Sequence, residues 1–298
     1  MRKRQTALLG LTAMLIALAL ATGCAGNNQA DADPFAGSGN SGITDADTVQ
    51  QEQEQEQEES DPDAAEELTN EPDGQAEDSG EVQEEPVAKA YYMNKNYFIK
   101  PIDEQADKKV VLLTFDDGPK ELELLTSLLD TLDKHEAKAI FFVNGYRVKQ
   151  NPDLLQLIAE RGQIVGNHSW DHIDLKKQTQ EKIDEQIGLV QSEVEALIGE
   201  APQFFRPPFG SGNDYVRAKV QEQGMLYMTW SNGSLDWADN QNNPDGVIAS
   251  VMEQLNPGSN ILMHELSWTA EALDRLLAQI TEAGYTFVDP RAIELEAR

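Results

Sequence analysis

Between residues 110 and 288, short apolar runs alternate with stretches of helical period, and this alternation constrains the fold more than any other feature of the chain. The runs are 110–115 (VVLLTF), 139–143 (AIFFV), 163–166, 203–206, 225–230, 260–264 and 285–288. Helical patterns fill 121–135, 152–161, 179–198, 215–223, 247–255 and 270–283 between them. Strands separated by helices pair in parallel, because each helix returns the chain across a face of the sheet. The expected fold is α/β, an irregular (β/α) barrel of about seven parallel strands within residues 91–298.

The remainder of the chain has a different character. The 298 residues include 53 Asp and Glu against 23 Lys and Arg, for a formal net charge of −30. Such a balance argues against a nucleic-acid partner, since a phosphate backbone is met by a basic face. A hydrophobic fraction of 40% is low for a compact enzyme, so part of the chain is expected to lie outside the folded domain. Residues 25–90 hold 20 acidic residues against the single Lys89, include the run QEQEQEQEE, and have no aromatic between Phe35 and Tyr91. Such a segment cannot bury enough apolar surface to offset its chain entropy and reads as a disordered acidic linker. As a flexible coil it would span roughly 45 Å. The domain that follows has 33 acidic and 19 basic residues.

Residues 1–24 have the form of an export signal. Arg2, Lys3 and Arg4 precede an uncharged run of 15 residues, Ala7 to Ala21, short for a membrane span. The run ends Ala21-Thr22-Gly23-Cys24, and Cys24 is the only cysteine, which excludes an intramolecular disulfide and a cysteine-based zinc cluster. The pattern resembles a bacterial lipobox, which implies lipidation of Cys24, anchorage in the cell membrane and a domain facing the cell wall. An inert cysteine, or an ordinary signal cut nearby, is the alternative.

The chemically unusual residues fall at the C-terminal ends of the expected strands, the rim on which β/α barrels build their sites. They are Asp116-Asp117-Gly118-Pro119, His168-Ser169-Trp170-Asp171-His172, Arg206-Pro207-Pro208-Phe209-Gly210, Asp236-Trp237 and His264-Glu265. His168 and His172, spaced four apart, can converge on one metal if the segment turns helically. Adjacent aspartates at a buried rim repel each other, so a cation is expected beside them. An Asp-His-His set leaves open positions, as catalytic zinc sites do. Phosphoryl transfer is disfavoured, because there is no P-loop and these ligand types favour zinc.

The ordered set TFDDGP, HSWDH, RPPFG, LDW and LMHE resembles the polysaccharide deacetylases with a NodB-homology domain, carbohydrate esterase family 4, over about residues 108–290. The resemblance implies metal-dependent removal of N-acetyl groups from a hexosamine polymer. The lipid anchor and long tether suit an immobile polymer near the membrane and point to peptidoglycan, and the protein is expected to be a monomer. The resemblance also implies Asp117, His168 and His172 as metal ligands, for zinc or alternatively cobalt or nickel, and Asp116 as general base. Arg206 would hold that base, the Phe209 N–H would receive the oxyanion, and His264 would act as general acid. Trp237 and Leu262 would wall the acetyl pocket, with ordinary core packing the rival reading for each.

Many members carry an aspartate four residues before the motif tryptophan, where it tunes the general acid; here that place is Gly233. Asp236 and Glu265 are the candidates to replace it. With neither, His264 would have a lowered pKa and activity would be reduced or restricted in pH. A wall-glycan-binding lipoprotein without turnover, and a deacetylase of chitin-like or poly-N-acetylglucosamine polymers, are the competing readings.

Overall fold

The computed structural model describes residues 87–298; the expected signal segment, Cys24 and the acidic linker as far as residue 86 lie outside the described residues. An antiparallel hairpin opens the domain, β1 (Tyr91–Met93) with β2 (Ile99–Pro101). The main sheet comprises β3 (Val110–Gly118), β4 (Ala139–Val143), β5 (Ile164–Asn167), β6 (Phe204–Phe205), β7 (Leu226–Tyr227), β8 (Asn232–Gly233), β9 (Ser259–His264) and β10 (Thr286–Phe287). Its order is β7-β6-β5-β4-β3-β9-β8, with β10 beside the start of β3, and every pairing is parallel. The sheet curls into a half-barrel. β7 and β8 end the ladder, and no pairing between them closes it.

The expected seven strands are all present, and the expected helices appear as α1 (Leu122–Lys134), α3 (Pro152–Glu160), α4 (Gln180–Ile198), α5 (Asp214–Glu222), α6 (Pro244–Glu253) and α7 (Ser267–Glu282). A short α2 (Gly145–Gln150), the hairpin and β8 are additional. They are too short to leave a periodicity in the sequence. Helix α1 shows why the longer pattern works: Leu125, Leu128, Leu129 and Leu132 fall on one stripe and are all buried. Each such leucine contributes about 1.5–3 kcal/mol by leaving water.

Alternation along each strand divides two cores. Val111, Leu113 and Phe115 of β3, with Phe141 and Val143 of β4, face the helices. The intervening Val110, Leu112, Ile140 and Phe142 face the other way and pack with Met93, Ile99, Val288 and Ile293. The hairpin and the C-terminal segment therefore plug the half-barrel at the strands' N-terminal end. Toward the C-terminal end the same inward positions become Thr114 and Asp116 on β3 and His264 on β9, with Asn260, beside Leu112, a polar exception lower down. The interior is thus apolar at the bottom and polar at the rim.

The plug is tight at Gly258. This residue has φ +86°, accepts a hydrogen bond from Ile99 N–H at 2.8 Å, and would place a Cβ 2.0 Å from the Ile99 carbonyl oxygen. Gly199, the C-cap of α4, has φ +82° but nothing within 4 Å of its Cβ position. Gly199→Ala should therefore cost only the left-handed strain, about 1–2 kcal/mol. Gly258→Ala should cost a further 1–3 kcal/mol or so for the clash. Urea unfolding of the two variants checks this: the Gly258 variant should have the clearly lower midpoint, and equal midpoints would show that the plug yields.

Candidate active site

Two consecutive residues of a regular strand point to opposite faces, so Asp116 and Asp117 could not ordinarily serve one site. Here the β3–β4 register shifts between Asp116 and Gly118, and Asp117 takes φ +67°. The bulge brings both carboxylates into the same cavity. Five of the seven non-glycine residues with positive φ among the described residues belong to the site or its rim: Asp117, Ser169, His172, Phe209 and Leu235. Each such residue costs on the order of 1–3 kcal/mol, and that strain is the mark of a functional geometry.

His168 and His172 converge, but not through a helical turn. The segment after β5 is irregular, with Ser169 at φ +66° and His172 at φ +53°, and the two rings lie with centroids 5.0 Å apart. Asp117, His168 and His172 each offer a ligand atom within 4.8 Å of the others, the only such group among the described residues. Asp117 Oδ1 is buried and accepts no hydrogen bond, although His172 Nε2 stands 3.2 Å away and His168 Nε2 3.5 Å. His168 Nδ1 donates to the Arg206 carbonyl at 2.7 Å, which leaves the Nε2 lone pair facing the carboxylate. Two imidazole nitrogens around an orphaned carboxylate oxygen fit a divalent cation. Burial opposes the charged forms of both Asp117 and His172. The imidazoles nevertheless bring Asp117 below the usual carboxylate range, whereas burial prevails at His172 and lowers its pKa.

Arg206 is completely buried, and burial lowers its pKa despite Asp116. Its Nη1 donates to Asp116 Oδ1 at 2.6 Å and to Thr114 Oγ1 at 2.8 Å. Its Nη2 donates to the Thr229 carbonyl at 2.9 Å and Asn260 Oδ1 at 3.2 Å, and the guanidinium lies 4.4 Å from the Phe142 ring centroid. The other carboxylate oxygen, Asp116 Oδ2, takes none of these bonds and lies 3.6 Å from His168 Nε2.

His264 is the register partner of Asp116 on the neighbouring strand. Its Nδ1 lies 2.7 Å from Asp236 Oδ1, and its backbone N–H donates to Asp236 Oδ2 at 2.8 Å. Thr269 Oγ1 also donates to Asp236 Oδ2, at 2.7 Å, and Trp268 Nε1 donates to the Asp236 carbonyl at 2.9 Å. Burial alone would lower the His264 pKa. The hydrogen bond and charge of Asp236, with Asp116 and Asp117 beyond, outweigh it and raise the value. Of the two candidates to replace the aspartate missing at Gly233, Asp236 is thus the partner of His264, and the histidine is not untuned. Glu265, the other candidate, makes no hydrogen bond to the imidazole and bonds Lys120 instead.

The cavity enclosed by these groups measures about 440 Å³ and is lined also by Pro207, Phe209, Gly210, Trp230, Trp237 and Leu262. Leu262 is buried, whereas Trp237 is 46% exposed and packs edge-on against Trp230 and His264, which is not a core position. Phe209 is exposed and sets its ring against His172, and its backbone N–H has no partner among the described residues. Pro207 and Pro208 restrict the turn that presents this N–H. Trp230, Thr114, Asn260 and Thr269 were not singled out from the sequence; nothing in their local pattern differs from ordinary strand or helix residues. Cys24 lies outside the described residues.

Residues 103–228 match the polysaccharide deacetylase family. Peptidoglycan-N-acetylmuramic acid deacetylase PdaA of Bacillus subtilis is 34% identical over 196 residues, covering 64% of this chain and 74% of that enzyme. Peptidoglycan-N-acetylglucosamine deacetylase PgdA of Listeria monocytogenes is 36% identical over 198 residues, 66% of this chain but only 41% of that enzyme. The crystal structure of BA3943 from Bacillus anthracis, a CE4 family pseudoenzyme, aligns with a TM-score of 0.58 at 33% identity, over 61% of this chain and 64% of that one.

Asp236 makes the imidazolium of His264 persist to higher pH than an isolated histidine would allow. In Asp236→Asn the His264 ring should consequently lose its proton at lower pH, as read by NMR titration of the imidazole. An unchanged titration would remove Asp236 from this role.

Proposed function

The chain belongs to the polysaccharide deacetylase family, carbohydrate esterase family 4, and on that premise we propose that it hydrolyses N-acetyl groups on the hexosamines of peptidoglycan. The observation that carries this reading is the convergence of a carboxylate with one free oxygen, a three-ligand cluster and a carboxylate-paired histidine on one open cavity. The substrate is inferred from what the named relatives act on.

A divalent cation held by Asp117, His168 and His172 would supply Lewis-acid polarisation of the acetyl carbonyl and acidify the attacking water. Zinc is the ion proposed, with cobalt and nickel as alternatives that the same ligand types accept. Asp116 acts as general base. Arg206 occupies Oδ1, so the water's proton goes to Oδ2 as its oxygen adds to the acetyl carbon. Negative charge develops on the former carbonyl oxygen, where the free Phe209 N–H is a ready donor. Collapse breaks the C–N bond, and His264 supplies the departing amine with a proton from Nε2 while Asp236 holds Nδ1. Acetate and a free amino sugar are the products. Leu262 and Trp237 wall the space for the acetyl methyl.

The signal-like segment, Cys24 and the acidic linker support an exported protein held to the membrane by a lipid at Cys24, its catalytic domain reaching the wall on a spacer. Two lipid chains on that cysteine would suffice for stable anchoring.

Incubation with purified peptidoglycan, followed by digestion and mass spectrometry, should show loss of acetyl mass on one sugar and release of acetate. A chelator should abolish both, and zinc should restore them. His264→Ala should lower kcat by roughly 10²–10⁴-fold, the usual contribution of a positioned acid. Binding to wall glycan with no acetate released, from peptidoglycan, chitin oligomers or poly-N-acetylglucosamine, would establish the non-catalytic reading instead.

A further inference from the structure

Glu265 directly follows the general-acid histidine, yet it does not join the cavity lining and is only 1% exposed. Its Oε2 accepts a hydrogen bond from the Lys120 backbone N–H at 3.0 Å, and Lys120 Nζ returns a bond to the Glu265 carbonyl at 3.0 Å. Its Oε1 sits 1.8 Å from where a Cβ on Gly118 would stand, so position 118 must be glycine for the carboxylate to fit. The carboxylate is thereby pressed against the segment that leaves the strained Asp117.

This placement is costly. Glu265 Oε1 is buried with no hydrogen-bond partner, and burial pushes the carboxyl pKa up to about 7 despite Lys120 and Arg147. An unsatisfied buried acceptor costs about 1–3 kcal/mol, which an apolar side chain of similar volume would avoid. The gain lies in the loop. Pro119 has no N–H, so the first backbone donor after Gly118 is that of Lys120, and Glu265 takes it. Asn144 N–H holds the Gly118 carbonyl at 3.0 Å and the Asn151 amide reaches the Pro119 and Lys120 carbonyls at 3.4 Å, so Glu265 supplies the acceptor that complements those donors.

We propose that Glu265 is a positioning residue, clasping residues 118–120 so that Asp117 keeps its left-handed conformation and its aim at His168 and His172, and tying that turn to the strand end that bears His264. The inference rests on the reading of those three residues as the metal-holding group. Partners that orient metal ligands typically change affinity by about 10–100-fold when removed.

The test compares wild type with Glu265→Ala, Glu265→Leu and Glu265→Gln, in zinc and cobalt titrations against a competing chelator and in thermal unfolding of the metal-free proteins. The Ala and Leu variants should bind either ion at least about tenfold more weakly. The Gln variant retains an oxygen for the Lys120 N–H and should stay close to wild type. The metal-free midpoint of the Leu variant should stay close to that of wild type, because relief of the unsatisfied Oε1 offsets loss of the acceptor for the Lys120 N–H. Full affinity in Glu265→Ala would overturn the proposal. So would affinity losses that merely track lower metal-free midpoints, the behaviour of a structural residue. Wild-type protein that binds neither ion would overturn the metal reading itself, and this inference with it.

Discussion

Arg206 brings a guanidinium into the half-barrel with none of its surface in water, and the rest of the site is arranged around that buried cation. An unpaired charge there would cost several kcal/mol, so its hydrogen bonds are a condition of folding as much as of function. The partners come from β3 (Thr114, Asp116), β9 (Asn260) and the segment after β7 (Thr229), with the Phe142 ring of β4 beneath. Because these elements are spread along a curled sheet, satisfying one side chain sets both the curvature and the orientation of the base. The same residue's carbonyl fixes His168 Nδ1. One arginine thus aims the general base through its side chain and a metal-holding histidine through its backbone.

Around it, the site is built by breaking regular structure. The inward positions of β3 grade from apolar to polar toward the rim, and the register with β9 makes Asp116 and His264 cross-strand neighbours. Regular strands could not add Asp117 beside Asp116, nor turn His172 back onto His168. A bulge and positive φ values at Asp117, Ser169 and His172 achieve that, and the tightly packed plug at the opposite end of the half-barrel helps offset the strain.

Much of this was legible in the residues alone. Strand and helix positions followed from apolar periodicity, because burying one face of each element is a local requirement that leaves a local trace. The hairpin, α2 and β8 left none: strands of two or three residues, such as Asn232–Gly233, are held by their neighbours rather than by their own propensities. At Gly233 the sequence left Asp236 and Glu265 both open as replacements, for a related reason. A missing carboxylate is visible in sequence, whereas a substitute is identified only by contact, and Asp236 reaches His264 across 28 positions of chain.

By itself the sequence determined the parallel α/β architecture, the rim on which the polar motifs gather and the chemical types they bring, since strand order and residue identity are properties of the chain. The pairings of Asp116 with Arg206 and of Asp117 with the histidines were already implied by the resemblance, and only the tertiary structure decided which acidic residue serves His264 and what Glu265 does. Asp116 goes to Arg206, Asp117 to the histidines, Asp236 to His264, and Glu265 to the loop that carries Asp117. Four acidic residues of nearly identical intrinsic chemistry acquire four roles, because charge pairing depends on distances of about 3 Å between residues far apart in sequence. Those distances exist only after the sheet has curled.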